Sequence, residues 1–407
     1  MPRSLSASVL VGLSLALVPV CFSHAGGEHC RMQSPEGLIA HEWGTFTSFS
    51  GSDGTLLRFS TNVAEGLPSF VFSRSKQDEH ATPDDHARHL KTAFSTRQRM
   101  ETPVIYFYAP EPMAVNVRVD FPHGLITEFY PPVSSMGPAL GKELDTGPTN
   151  GMLEWRNLRV LGHNARVSLP KIEAPSRYAI AREADEAHAV QFSHKGETHT
   201  EKFLFYRGLG DFELPIRAEA LGNDRFRFST TEKSQWPSVF LVSAKNGQVR
   251  WSVQENVTGS HEFRPIAGAS DKDKGLERLI SELREAGLFE PEARAMVNTW
   301  KDQWFAGHGT RFLAIMPADV VDTTLPLQIE PTPIETKRVF VARLEILTPE
   351  LERQIESVVS TGDAEHEATW KRLREHFGWM GRFLPPAVDR VAALTPNVAR
   401  IERPRAK

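Results

Sequence analysis

The chain has 407 residues, 40% of them hydrophobic and 24% charged, which excludes a disordered, collagen-like or coiled-coil protein. Its 47 Lys+Arg stand against 51 Asp+Glu, so the bulk charge carries no electrostatic footprint for a nucleic acid partner. Twenty-eight glycines and 28 prolines favour many turns and short strands over long helices.

Residues 1–25 read as a signal peptide: Arg3 is their only charged side chain, an apolar run fills 5–22, and Ser23-His24-Ala25 offers small residues at the cut. A retained membrane anchor is one alternative, since such a run is long enough to span a bilayer. Acylation at Cys21 is another, although Val20 before it fits poorly. Cleavage predicts a periplasmic or secreted protein with no stable membrane insertion. Cys30 would then remain as a single cysteine, which cannot form an internal disulfide.

From residue 26 to 265 the pattern is strand after strand, with turn signals at the spacing of a sandwich or barrel. Strands are predicted over 39–49, 102–108, 114–121, 125–130, 152–161, 177–182, 202–206, 225–230, 239–244 and 248–253. In Val115-Asn116-Val117-Arg118-Val119-Asp120-Phe121 apolar and polar residues alternate, the mark of a strand with one wet face. Asn246-Gly247 joins the last two segments as a hairpin, because both residues accept positive φ. The polar stretch 74–99 reads as an exposed excursion with a short helix.

Over 266–407 the period changes. Leu276, Leu279, Ile280 and Leu283 form one helical stripe that Gly287 can end, and Pro291 opens a second helix reaching Trp304. Strands at 311–316 and 338–347 follow, then helices at 350–359 and 364–377. The fold class is therefore mainly β with a C-terminal α/β part: a sandwich-like half followed by helices packed on strands.

Common catalytic spacings are absent from the sequence. There is no Gly-x-Ser-x-Gly elbow, phosphate loop, Gly-x-Gly-x-x-Gly after a strand, His-Glu-x-x-His or Cys-x-x-Cys. The candidate chemistry therefore rests on side chains that strands would bring together. His41 and Glu42 lie in the first strand, Glu101 precedes a near-continuous apolar run, and His123 sits in a turn before Glu128. If these strands are neighbours, His41, Glu42, Glu101 and His123 can form the shell of a divalent metal ion, with an open position for water. The competing account pairs the same acids with arginines such as Arg118 or Arg159, the usual partners of buried carboxylates. His86 and His89, three apart on the short helix, and His194 with His199 suit a solvated helix and a surface hairpin. Trp43 and Trp155, with Trp236 and Trp251, lie on or beside predicted strands, where they can stack a flat ligand or fill the core.

The stretches Ala40-His41-Glu42-Trp43-Gly44-Thr45-Phe46-Thr47-Ser48 and Met100-Glu101-Thr102-Pro103-Val104-Ile105-Tyr106-Phe107-Tyr108 resemble an uncharacterised family of exported bacterial proteins of similar length. Residues 202–215 and 338–348 resemble it more loosely. The resemblance implies export and brings no activity with it. Two readings follow: an exported binding protein using Trp43 and Trp155 for a small or polymeric ligand, and a metal-dependent hydrolase built on His41, Glu42, Glu101 and His123.

Overall fold

The computed structural model describes residues 35–60, 66–74, 94–138, 149–163, 165–173, 175–231, 233–266, 271–360 and 366–395. The leader, Cys30 and the expected helix bearing His86 and His89 lie outside them. Strand β1 (Ile39–Ser50) is buried along nearly its whole length, as a strand covered on both faces must be. The short β2 (Phe59–Ser60), β3 (Phe72–Ser73) and β4 (Ser95–Thr96) precede β5 (Gln98–Tyr108). Then come β6 (Met113–Phe121), β7 (Gly124–Tyr130), β8 (Ser135–Gly137) and β9 (Gly151–Val160). In β6 burial alternates residue by residue, as its pattern predicts.

Helix α1 (Arg177–Ile180) leads into β10 (Val190–His194), β11 (Glu197–Glu201), β12 (Leu204–Gly210), β13 (Ile216–Gly222) and β14 (Arg225–Thr230). Strands β15 (Trp236–Lys245), β16 (Gln248–Val257) and β17 (Ser260–Phe263) complete the β-rich part. The C-terminal part runs α2 (Lys272–Glu285), α3 (Glu290–Lys301), β18 (Gly309–Ile315), α4 (Ala318–Thr324), β19 (Leu327–Glu330) and β20 (Glu335–Ile346). Helices α5 (Pro349–Ser360), α6 (His366–Phe377) and α7 (Leu384–Leu394) end it.

The main sheet has nine strands in the order β16-β15-β18-β20-β1-β5-β12-β7-β3. Strands from both sides of residue 266 share it, so the change of class along the sequence is not a division in space. At its centre β1 runs parallel to β20 and antiparallel to β5. One face packs on a six-stranded sheet, β11-β10-β9-β6-β19 with β8 also paired to β9, through contacts such as Phe46–Phe121 and Tyr206–Trp155. The three-stranded sheet β13-β14-β17 covers more of that face through Phe228 and Phe263 against Phe312. This is the sandwich. The opposite face carries α1, α2 and α3: Tyr106 donates to Ala181 O, Tyr178 packs on Phe205, and Phe305 and Trp251 close against Gly275. A second apolar cluster, with Phe49, Phe59, Leu347, Trp370, Leu373 and Phe383, seats α5–α7 at one end of the sheet.

Asn246 and Gly247 take φ of 52° and 76°, the backbone their hairpin requires. Residues 177–182, expected as a strand, are helical instead. Their β-favouring Tyr178 and Ile180 yield to tertiary packing, because Tyr178 fills the space between Phe203, Phe205 and Phe70 while its hydroxyl reaches Glu201. The β10–β11 pair is the surface hairpin expected around His194 and His199, whereas strands β2, β3, β4, β8, β13, β17 and β19 and helices α4 and α7 were not predicted.

His188 pins the end of β5: its backbone N–H donates to Phe107 O, and its Nδ1 accepts from Ala109 N. Burial, followed by the positive charges of His163 and Lys202, pushes its imidazole down to about 4. The unfolded chain binds this proton near pH 6.5 and the native state does not, so stability is full above that value and falls as pH drops toward 4. Urea titrations across this window should show a loss of about 1 kcal/mol per pH unit in the wild type and a shallower slope in His188→Gln.

Candidate functional site: an arginine-rich cluster

The sequence-predicted site residues do not come together. His41 and Glu42 are successive residues of a strand and so face opposite sides of the sheet. On the helix side His41 Nδ1 lies 2.8 Å from Glu292 Oε2, and Glu292 also accepts from Tyr108 OH at 2.7 Å and from Phe289 N at 2.8 Å. On the sandwich side Glu42 accepts from Tyr206 OH and, at 2.7 Å, from Arg338 Nε. Arg338 in turn holds Asp322 at 2.9 Å. Glu101 meets Arg99 and Arg382, Glu128 meets Arg207, and Arg118 pairs with Asp120. His123 lies on an exposed turn beside Phe212, in a groove of about 280 Å³ that also has Glu213 and Asp319 in its lining.

The expected metal shell is therefore replaced by ion pairs, with arginines other than Arg118 and Arg159 on Glu42 and Glu101. Among the described residues no three His, Cys, Asp or Glu side chains gather as metal ligands do. Trp43 and Trp155 are 0% exposed. Trp43 stands near Tyr106 under the helices, and Trp155 donates to Pro131 O inside the sandwich. Neither offers a face to a ligand, because alternation on a sheet covered on both sides sends every such side chain into the core.

What the structure does bring together lies on the helix face, toward the end of the sheet where α5–α7 sit. It depends on a bulge. In the β1–β5 pair Trp43 stands opposite Val104 and Thr45 opposite Glu101, so Thr102 and Pro103 together face Gly44 alone. Thr102 takes φ of 48°, and Gly44 leaves room where an added Cβ would fall 2.6 Å from the Phe340 ring and 3.0 Å from Pro103 Cγ. The extra residue shifts the alternation, so that Arg99 and Glu101 share a face with Val104 and Tyr106.

Thr47 donates to Glu101 Oε2 at 3.0 Å, while Arg99 Nε and Arg382 Nη1 converge on Oε1 at 3.0 and 2.8 Å. In the next strand Arg343 stands opposite Thr47, and with Arg311 of β18 it shares Glu345 Oε1. Arg311 also caps the carbonyls of Trp304, Gly307 and His308, and Arg343 reaches Gln303 Oε1 at 2.8 Å. On the other side Arg207 grips Glu128 with two bonds of 2.8 and 3.1 Å. Arg177, on α1, lays its guanidinium 4.7 Å from the centroid of the Trp300 ring.

Five buried or part-buried guanidiniums thus gather with three carboxylates, and the exposed Arg177, drawn toward Glu101 and Asp302, stands beside them. Burial alone would raise the Glu101 carboxyl, but Arg382 and Arg99 outweigh it and hold it well below the usual carboxylate range. Burial pushes Arg99 down to about 9, with Glu101 opposing and Arg382, Arg207 and Arg177 assisting as like charges. All of these groups stay cationic at neutral pH. Among the described residues the two Nη groups of Arg99 make no hydrogen bond, and Arg177 makes none either, its attraction to Glu101 and Asp302 acting at longer range. Arg99 and Arg382 keep 16% and 13% of their side chains at the surface. The arrangement suits an anion, which would find donors already positive and already oriented.

The sequence reading passed over this cluster. The available signal was Arg99-Met100-Glu101 and Arg343-Leu344-Glu345, where an arginine and a glutamate two apart in an apolar strand must share one face.

No protein-family model and no curated protein matches the chain. Among solved structures it is similar to the yeast delta-COP-I mu-homology domain complexed with a Dsl1 WxWxV peptide, with a TM-score of 0.27, 7% identity, and 77% of this chain and 98% of that one covered. The same yeast domain in a second structure gives a TM-score of 0.28 and 6% identity, covering 78% of this chain and 100% of that one. A likeness this loose carries no assignment.

Gly44→Ala should force Phe340 or Pro103 aside and lower stability by about 1–3 kcal/mol. Because the same bulge aims Arg99 and Glu101, anion binding at the cluster should weaken with it. Chemical denaturation measures the first effect and calorimetric titration the second; full stability in the variant would refute the role assigned to the bulge.

Proposed function

We propose that this is an exported binding protein whose ligand carries anionic groups and binds at the arginine cluster on the helix face of β20, β1, β5 and β12. The observation that supports it is the surplus of guanidiniums over carboxylates around Glu101, with Arg177 and the Nη edge of Arg99 making no hydrogen bond among the described residues. Arg177 is exposed and Arg99 part-exposed, so an anion arriving from solvent can reach both guanidiniums. The absence of common catalytic spacings in the sequence fits binding better than turnover. Export rests on the leader: a lone Arg3, an apolar run and the small-residue exit before Gly26. No described helix is long and apolar enough to cross a membrane.

Ligand binding to the native state raises its stability in a saturable way. Citrate and phosphate, titrated at fixed ionic strength, should raise the melting temperature toward a plateau and release measurable heat. Both effects should be lost in the Arg99→Gln, Arg177→Gln double variant. A rise that never saturates, or one that is equal in the double variant, would sink the proposal, since excluded salts stabilise any fold without a site.

A further inference from the structure

The groove beside His123 lies on the sandwich side of the main sheet, and none of its lining belongs to the arginine cluster. Three connections meet there: the β6–β7 turn with His123, the β12–β13 loop with Phe212 to Pro215, and helix α4. Asp211 N donates to His123 O at 3.1 Å and ties the turn to the loop. Phe212 folds back over Gly210, where an added Cβ would fall 2.4 Å from its ring, and it meets Phe46 and Phe121 edge-on with centroids 5.7 and 5.9 Å away. That packing fixes the ring while part of it stays open to the groove. Leu214 and Val320, both buried, continue the apolar floor with Pro215.

The rim is acidic. Glu213 and Asp319 reach it from two different segments, and no lysine or arginine lies in the lining. Glu213 Oε1 meets Arg97 Nη1 at 3.3 Å, a surface pair with 64% of the glutamate side chain in water, of the kind that contributes little. Asp319 accepts from Val320 N on Oδ1 and from Ser234 Oγ on Oδ2, both at 3.0 Å. Each bond occupies one lone pair of an oxygen that has two, so both carboxylates retain room for a charged donor. The neighbouring cations are engaged: Arg58 lies 2.8 Å from Asp211, and Arg97 is shared between Asp211 and Glu213.

We infer that this groove binds a small organic cation, an alkylammonium on a short apolar stem, independently of the arginine cluster. Charge complementarity sets the class: an anion would meet two carboxylates, and a neutral apolar molecule would desolvate them without offering a partner. The ammonium would donate charge-assisted hydrogen bonds to Glu213 and Asp319 while the stem covers Phe212, Leu214 and Val320. A volume of about 280 Å³ falls just below the roughly 300–1,000 Å³ of drug-sized sites, so the ligand is small. A bare metal ion would find no use for the apolar floor, and among the described residues no three side chains gather as its ligands.

Calorimetric titration of the whole protein at fixed ionic strength with pentylammonium, ammonium and 1-pentanol separates charge from stem. Pentylammonium should saturate and bind at least about ten-fold more tightly than either of the others. Asparagine at 319 can still accept from Val320 N and exchange a hydrogen bond with Ser234, and Glu213 is exposed, so Asp319→Asn and Glu213→Gln should melt as the wild type does. Each should nevertheless weaken pentylammonium about ten-fold. The Arg99→Gln, Arg177→Gln double variant should bind it unchanged. Pentanol binding as tightly would overturn the inference on charge, and ammonium binding as tightly would overturn it on the apolar floor. Pentylammonium heat that never saturates, or that is equal in the two folded carboxylate variants, would remove the site altogether. Because the two sites share no residue, any of these failures leaves the anion reading to its own test.

Discussion

The arginine cluster depends on one irregularity of the backbone, the bulge that sets Thr102 and Pro103 against Gly44. In a regular antiparallel ladder Glu101 would share a face with Pro103 and Ile105, and Arg99 with it, because side chains alternate strictly. Both would then point into the sandwich, among Phe46, Phe121 and the Tyr206–Glu42 pair. The bulge turns the lower part of β5 over while the upper part keeps Val104, Tyr106 and Tyr108 under the helices. Pro103 suits this place, since a residue without an N–H is best accommodated where the ladder is already interrupted.

The same sheet treats its acids in two ways, and the difference decides where a ligand can enter. Glu42 and Glu292 are saturated: each accepts from two or three fixed donors, and the surrounding side chains are 0% to 5% exposed. Such groups are costly to break, since removing one partner of a buried pair costs about 3–5 kcal/mol, and they offer nothing to a newcomer. Around Glu101 and Glu345 the proportion is reversed, with two arginines converging on one carboxylate oxygen in each case. Guanidinium edges are left over there, and leftover donors in low dielectric are what an anion competes for.

Much of the fold was legible in the sequence, for reasons that can be named. β1, β5, β6, β15 and β20 carry long apolar or alternating runs, and α2 and α3 carry a clear stripe with Gly287 and Pro291 as punctuation. The strands that escaped notice, such as β17 and β19, are short edge pieces held by pairing more than by pattern. The site was less legible. That Glu42 and Glu101 are buried was readable from their apolar surroundings; that they face opposite sides of the sheet was not, because parity along β5 is lost at the bulge. The arginine partners come from β20 and from a segment some 280 residues further on, a pairing that only topology reveals.

Placement of the cluster then follows from how the helix face is covered. α1 and α3 roof the upper part of the sheet with Tyr178, Trp300 and Met296, all buried, and leave it dry. Below them the roof changes to the π-helical turn Asp302–Ala306 and the segment Gly378–Phe383, which present Gln303, Arg382 and Trp379 instead of aliphatic side chains. A sheet face roofed by polar groups must itself be polar, or the interface would leave donors unpaired. β1 supplies Thr45 and Thr47 there, and its neighbours supply arginine and glutamate. Polarity at this end is thus a requirement of the fold before it is a property of a site. The surplus of guanidinium over carboxylate is not required by packing, and it is the feature on which the proposed anion site rests.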